Sequence, residues 1–184
     1  MDISTIESAS QRDFFDKRFK GVLFSDIQDG RRILSRRIGD FYIVNTNHIR
    51  GRHWFSLVRG WDMWVIFDSS VDTPLSSYQN IVSRITVPCI IDRGELQGEE
   101  SLLCGEFALT SVALMGKLFI KMGDKLNHLT YEKNYYSGKI VDYVKTKRCS
   151  ADEFVFNFIY KHMKKKLHIS PENIRQVEEW LYSF

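Results

Sequence analysis

The chain has 184 residues, a length typical of a single domain. Hydrophobic residues make up 43% and aromatic residues 14%, which suffices for a folded core and excludes global disorder, and the net charge of +3 permits contact with phosphates without requiring it. Three cysteines without paired spacing predict neither a secreted disulfide framework nor a zinc site, and no apolar run approaches the roughly 20 residues of a membrane span. We therefore expect a soluble domain in a reducing compartment, with no metal or small-molecule cofactor and no membrane contact.

The first half of the chain predicts mainly strands. A helix is predicted around residues 5–15, and the glycine-containing stretch 16–40 predicts loops or short strands. Aromatic and β-branched residues then predict a series of elements, namely strands at 41–45, 53–59 and 63–69, a helix at 75–85 and a strand at 87–91. Both faces of the strands at 53–59 and 63–69 are largely apolar, which predicts a sheet covered on both sides.

The second half predicts helices. Residues 103–122 are apolar nearly all round the helix, which predicts burial in the core. Ser150 and Glu153 form a capping box before an apolar run, and Ser170 followed by Pro171 predicts a last helix to about Tyr182. The order of elements predicts an α+β fold in one domain spanning residues 1–184.

His53 and Asp68 flank a predicted β-hairpin. Gly60 and Trp61 predict a two-residue type II′ turn, because glycine suits its first central position. In that register His53 lies opposite Asp68 on one face, with Cβ atoms roughly 5 Å apart, so that the carboxylate can hold the imidazole tautomer and stabilise the imidazolium. The structural alternative is a strand end beside a histidine that satisfies its hydrogen bonds at a sheet edge.

Cys104 and Gly105 stand at the start of the predicted buried helix. Unpaired N–H groups and the helix dipole there favour a thiolate, and a thiolate beside an imidazolium is an activated nucleophile whose general acid is already protonated. Gln97 precedes the helix in a polar loop, from which its amide can donate to an oxyanion. Each feature alone has an ordinary alternative, a buried inert cysteine or a solvent-facing glutamine.

The order His53-Trp54, Asp68-Ser69, Gln97, Cys104-Gly105 resembles that of the adenovirus protease (adenain) family and, more distantly, of the SUMO and ubiquitin-like proteases that share its fold. Further segments are similar to adenains: residues 15–21 resemble a Tyr-Asp-Lys-Arg-Phe-Pro-Gly stretch, residues 43–46 match Ile-Val-Asn-Thr, and residues 96–98 resemble Val-Gln-Gly. The resemblance covers roughly residues 10–120 and leaves a divergent helical C-terminal extension from about residue 126.

This resemblance implies an adenain-like fold, with a central mixed or antiparallel sheet packed against a buried helix that carries the nucleophile. It implies Cys104 as nucleophile, His53 as general base and acid, Asp68 as the orienting carboxylate, and Gln97 with the Cys104 backbone N–H as the oxyanion hole. Trp54 and Gly105 become substrate-binding positions, although Trp54 is equally well a core aromatic. Asp68 departs from the glutamate common in adenains and is similar to the Asp-Ser of SUMO proteases.

The implied function is that of a viral cysteine endopeptidase. Adenains cleave Gly-Gly or Gly-X-Gly type sites in virion precursor proteins during maturation, which places the expected activity in the virion and the host cell nucleus. Two alternatives stay open, a SUMO or ubiquitin-like deconjugating protease with the same catalytic groups and a non-catalytic DNA-binding virion protein that keeps the fold.

The resemblance also implies two activators, a viral peptide and DNA. Cys89 lies near the position of the adenain cysteine that forms a disulfide with the activating peptide. Basic residues are the candidates for DNA contact, namely Arg31, Arg32, Arg36, Arg37, Lys164, Lys165 and Lys166. Their structural alternative is a solvated surface.

Overall fold

The computed structural model describes residues 18–28, 30–35, 37–49, 53–97, 101–122, 138, 141–142, 144–146 and 148–162. The strands are β1 (Phe19–Phe24), β2 (Phe41–Asn45), β3 (Trp54–Arg59), β4 (Trp64–Asp68) and β5 (Cys89–Arg93). The helices with defined bounds are α1 (Ser76–Val82), α2 (Cys104–Met122) and α3 (Ala151–His162), and residues 141–142 and 144–146 are helical as well. The protein has an α+β fold.

In the described part of the chain the strands form one mixed sheet in the order β1-β2-β3-β4-β5. The three central strands are antiparallel to one another, whereas β1 runs parallel to β2 and β5 runs parallel to β4. The predicted strands at 41–45, 53–59 and 63–69 are confirmed within one residue at each end, and β5 begins two residues later than predicted. The strand β1 lies in the stretch that was predicted only as loops or short strands.

The hairpin between β3 and β4 differs from its prediction. Ser56 lies opposite Phe67 rather than Val65, so the pairing is shifted by two residues. Gly60 lacks the positive φ that a type II′ turn requires, and its N–H donates to the carbonyl of Met63 at 2.9 Å. The prediction of a two-residue turn at Gly60 and Trp61 was therefore wrong. The Met63 side chain is buried in the core, so the connection between the strands extends to residue 63.

Both faces of the sheet are covered, as predicted. On one face α2 contributes Phe107, Leu109 and Val112, which pack against inward side chains of β2, β3 and β4. On the other face Tyr78 and Ile81 of α1 pack against the alternate side chains of β3 and β4. Since burying one such side chain stabilises a fold by about 1.5–3 kcal/mol, the two layers fix the sheet firmly.

The helix α3 completes the core behind α2. Its start follows the predicted capping box, with the N–H of Glu153 donating to Ser150 Oγ at 3.0 Å. Buried side chains on one face of α3 join the core that contains α2, namely Phe154, Val155, Phe158 and Ile159. The region predicted as a C-terminal extension therefore contributes to the main core. The helices predicted at 5–15 and after Ser170 lie outside the described residues.

Strand directions bring several chain segments to one edge of the sheet. Because β3 and β4 are antiparallel, the residue before β3 and the last residue of β4 meet at the same edge. Strand β5 is parallel to β4 and also ends there, and the segment that follows β5 leads to the start of α2. Within the described ranges, no helix is long and apolar enough to cross a membrane.

Candidate active site

His53 and Asp68 form a close pair at this edge. His53 Nε2 lies 2.7 Å from Asp68 Oδ1, and the two side chains are 17% and 0% exposed. The shift in hairpin register makes the two residues diagonal rather than directly opposite. A shift of two residues keeps every side chain on its own face of the sheet, and diagonal neighbours are within reach of long side chains. The predicted contact is therefore present although the predicted turn is not.

The carboxylate of Asp68 accepts hydrogen bonds on both oxygens. Oδ1 also accepts from the backbone N–H of Ser70 at 2.9 Å, which makes a local turn after β4. Oδ2 accepts from the hydroxyl of the buried Tyr78 at 2.8 Å. These donors stabilise a charged carboxylate that is removed from water.

Cys104 is the first residue of α2 and is half-buried, with a free thiol. It lies close enough to His53 to raise the pKa of the imidazole. Since Nε2 of His53 faces Asp68, Nδ1 is the ring atom left to face the sulfur. The start of the helix is held in place by Ser101, whose Oγ accepts from the N–H of Leu103 at 3.3 Å and donates to Asp152 Oδ1 of α3 at 2.9 Å. Unpaired N–H groups in the first turn favour negative charge on the sulfur.

The surroundings of His53 favour its protonated form. Burial lowers the pKa of the imidazole, but the hydrogen bonds and negative charges of Asp68 and Cys104 outweigh that effect and raise it to about 9. The ring can thus remain an imidazolium at neutral pH between two partners that carry or can carry negative charge. This is the arrangement of a thiolate–imidazolium pair.

Gln97 lies in the same cleft as His53 and has an oriented amide. Its Oε1 accepts from Ser69 Oγ at 2.8 Å, and its Nε2 donates to the carbonyl of Ser101 at 3.2 Å. Because an amide nitrogen carries two N–H groups, one stays available for a substrate oxygen. The backbone N–H groups of Leu96 and Gln97 both donate to the carbonyl of Ser69, so the residue after β4 positions this loop.

The cleft beside the pair has a volume of about 190 Å³. His53 and Gln97 line it together with Asp72, Glu95 and Ser101, among other residues. The lining is mostly polar and includes two exposed carboxylates, so an extended peptide backbone would find hydrogen-bond partners there.

Glu106 is a buried carboxyl group in the first turn of α2. It is 6% exposed, and its Oε2 has no hydrogen-bond partner among the described residues. Burial raises the pKa of this carboxyl, which favours its neutral form.

Two predicted substrate-binding positions lie away from the cleft surface. Trp54 is 2% exposed and belongs to the core that contains α2, because it alternates with His53 along β3 and points to the other face. Trp54 therefore occupies the position of a core aromatic, which was the alternative to a substrate-binding role. Gly105 is buried in the first turn of α2 next to the candidate nucleophile.

Cys89 begins β5 and is half-buried against the α1 side of the sheet. Burial raises the pKa of its thiol to about 12. Since the thiolate is the reactive species in disulfide exchange, this environment makes reaction with an activating peptide slow. The disulfide remains a prediction from the resemblance.

The predicted DNA-contacting residues are only partly described. Arg31, Arg32 and Arg37 are exposed in the segment between β1 and β2. Arg36 and the run Lys164, Lys165 and Lys166 lie outside the described residues.

No family model matches the chain, and no curated protein matches it at a significant level. Among the residues that the structure describes, no group of three or more His, Cys, Asp or Glu side chains is placed to hold a metal ion.

Two residues of the site, Tyr78 and Ser101, were not singled out from the sequence, and Ser69 was named there only as part of the Asp68-Ser69 pair. A small clue existed for the segment after β4, because Asp-Ser-Ser is typical of a turn in which the Asp side chain bonds the backbone two residues on. Tyr78 carries no such sequence signal. It lies in a predicted helix, and only the packing of α1 on the sheet brings its hydroxyl to Asp68.

Proposed function

We propose that this protein is a cysteine endopeptidase. The observation that carries the proposal is the contact of His53 with both Asp68 and Cys104, at the start of a buried helix and beside a polar cleft. In this proposal Cys104 is the nucleophile, His53 the general acid and base, and Asp68 the group that orients His53.

The proposed reaction follows from these positions. The Cys104 thiolate attacks the peptide carbonyl carbon, and the electron pair of the C=O bond moves to the oxygen, where the Gln97 amide and the Cys104 backbone N–H stabilise it. The imidazolium of His53 then donates its proton to the leaving amine as the C–N bond breaks, which leaves a thioester. Water attacks the thioester while His53 accepts its proton. The C–S bond then breaks, and the carboxylic acid product leaves as the Cys104 thiolate and the His53 imidazolium form again.

The substrate class rests on the resemblance to adenains. We propose cleavage after glycine in Gly-Gly or Gly-X-Gly type sites of virion precursor proteins, with the virion and the host cell nucleus as the place of action. DNA contact through the exposed arginines and an activating peptide belong to the same proposal.

A second candidate is deconjugation of SUMO or ubiquitin-like proteins. Asp68-Ser69 favours it, since the acid is an aspartate rather than the glutamate common in adenains. A library of Gly-Gly peptides and a panel of folded ubiquitin-like conjugates separate the two, because the endopeptidase should cleave short peptides. Hydrolysis of folded conjugates alone would favour deconjugation.

The decisive test of the catalytic pair is thiol labelling near pH 6 with iodoacetamide, read by peptide mass spectrometry. Cys104 should label faster than Cys89 and Cys149 in the same sample, because only a thiolate held by an imidazolium reacts rapidly at that pH. His53→Ala should abolish this advantage, and Cys104→Ala should remove the fast phase. Equal labelling of Cys104 and Cys149, unchanged by the loss of His53, would refute the proposal.

A further inference from the structure

The carboxylate of Asp68 is fully buried, and its orientation depends on its protein partners alone. The side chain is 0% exposed, so bulk water does not solvate it. Oδ1 faces His53 and the Ser70 N–H, whereas Oδ2 accepts from Tyr78 at 2.8 Å. Losing the Tyr78 hydroxyl would leave the buried Oδ2 without a hydrogen bond, which costs about 1–3 kcal/mol or more for a charged group.

The register of the hairpin makes this orientation important. His53 and Asp68 are diagonal neighbours, so the carboxylate reaches the imidazole only in a suitable side-chain conformation. A donor on Oδ2 restricts the rotation of the carboxylate and keeps Oδ1 directed at His53 Nε2.

Tyr78 is itself held firmly in place. The residue is 1% exposed, and its ring packs edge-on against Phe55 with centroids 5.3 Å apart. The guanidinium of Arg93 lies 5.6 Å from the ring centroid. Burial, followed by the charge of Asp68, raises the pKa of Tyr78 well above its usual range, so the hydroxyl keeps its proton and can only donate it to Oδ2.

We propose that Tyr78 is a positioning residue for the catalytic pair, acting through Asp68 on His53 and thereby on Cys104. The hydrogen bonds form one chain from Tyr78 through Asp68 to His53. The groups that face His53 along this chain are the Asp68 carboxylate and the Cys104 thiol, and those that face Tyr78 are Asp68, Thr73 and Arg93. This inference rests on the proposed function and adds to it a residue that contacts neither substrate nor nucleophile.

The test is an NMR titration of the His53 ring in wild type and in Tyr78→Phe, which removes one hydroxyl and keeps the ring. The titration midpoint should fall by about one pH unit in Tyr78→Phe, because a loosened carboxylate supports the imidazolium less while burial continues to lower the pKa. Near pH 6 the imidazolium is almost fully populated with either midpoint, so the labelling rate of Cys104 at that pH should change little and the NMR titration carries the test.

A control variant and a double variant separate positioning from stability. Phe55→Leu disturbs the packing of the Tyr78 ring but keeps its hydroxyl, so it should lower the unfolding midpoint and leave the His53 titration in place. In an Asp68→Asn background, Tyr78→Phe should change the His53 titration no further, since its effect passes through the carboxylate. An additive effect in that background, or an unchanged titration in Tyr78→Phe alone, would overturn the inference.

The two proposals fail in different ways. If wild-type Cys104 labels selectively and His53→Ala abolishes that selectivity, while the His53 titration in Tyr78→Phe is unchanged, only the role of Tyr78 is refuted. If Cys104 shows no selectivity in the wild type, the proposed function is refuted, whereas the NMR titration still decides whether Tyr78 controls His53 through Asp68.

Discussion

The imidazole of His53 couples the candidate site to the stability of the fold. Its pKa is raised from 6.5 to about 9 in the folded protein, because the bonds and charges of Asp68 and Cys104 outweigh burial. A histidine with a raised folded pKa contributes stability that is fully present below the unfolded pKa and is lost as the pH rises through the folded pKa. The pH range that matters is therefore about 6.5 to 9.

We expect this linkage to appear in urea unfolding measured from pH 6 to pH 10. The difference in unfolding free energy between wild type and His53→Gln should be largest near pH 6 and should shrink through pH 9, as the imidazolium loses its proton. Asp68→Asn removes a major cause of the raised pKa, so in that background the difference should depend less on pH. A difference that grows with pH would contradict the assigned protonation.

Cys89 provides a second prediction for a single residue. Burial raises the pKa of its thiol to about 12, so Cys89 should label with iodoacetamide much more slowly than Cys104 between pH 6 and pH 9. Peptide mass spectrometry of one partially labelled sample compares both thiols directly. Labelling of Cys89 should accelerate in urea, once unfolding exposes it, and fast labelling in the native protein would show that the strand end opens readily.

Single residues of the site could be predicted to different degrees. His53, Asp68, Gln97 and Cys104 were selected from the sequence because their residue types and order are informative, and the structure brings the first two together with the last. Tyr78 could not be selected, because an aromatic residue in an amphipathic helix is explained by packing alone. Its hydroxyl acquires a role only through a contact between the helix α1 and the last residue of β4.

At the level of elements, α3 offers a matched pair of phenylalanines. Phe158 is 1% exposed in the core, whereas Phe156 is 40% exposed on another side of the same helix. We expect Phe158→Ala to lower the unfolding free energy by about 3–5 kcal/mol and Phe156→Ala by less than about 1 kcal/mol, measured by urea denaturation. Similar losses for both variants would mean that α3 does not pack on α2 as described.

The register of the hairpin shows where sequence patterns stop being informative. Aromatic and β-branched residues predicted both strands, and the period of two along a strand decides the face on which each side chain lies. A shift of two residues preserves that pattern, so only the connection could have distinguished the registers. The connection was decided by the burial of Met63, which is a tertiary contact. Strand β1 was predicted only as part of a stretch of loops or short strands, and its parallel pairing with β2 has an irregular register.

The whole molecule carries a modest positive charge of +3, and the exposed arginines before β2 are its described candidates for DNA contact. We expect weak DNA binding that falls steeply with salt, with each phosphate contact contributing a slope of about −0.9 in a plot of log K against log salt. Arg32→Ser should reduce the slope by about 1. Lys145→Ser, which removes one exposed charge from another region, should leave it nearly unchanged. Fluorescence anisotropy at several salt concentrations measures this slope. An absence of binding at low salt would refute the DNA proposal.

The architecture as a whole followed from the sequence more fully than the role of its C-terminal third. The order of apolar segments predicted an α+β fold with a buried helix and a sheet covered on both faces. The residues that pack α3 onto α2 were visible as an apolar run, but periodicity does not identify the surface that a helix will cover. That information is present only in the packed molecule.

Ser101 hydrogen-bonds to Asp152, and α3 packs behind α2. These contacts affect when activity can arise during synthesis. A ribosome releases the cysteine, the histidine and the aspartate long before it releases the helix that completes the core behind them. Until Phe158 has been synthesised, the core beside the Cys104 thiol is incomplete and the start of α2 is not held in place. Under the proposed function, hydrolytic competence is therefore delayed until α3 has been synthesised.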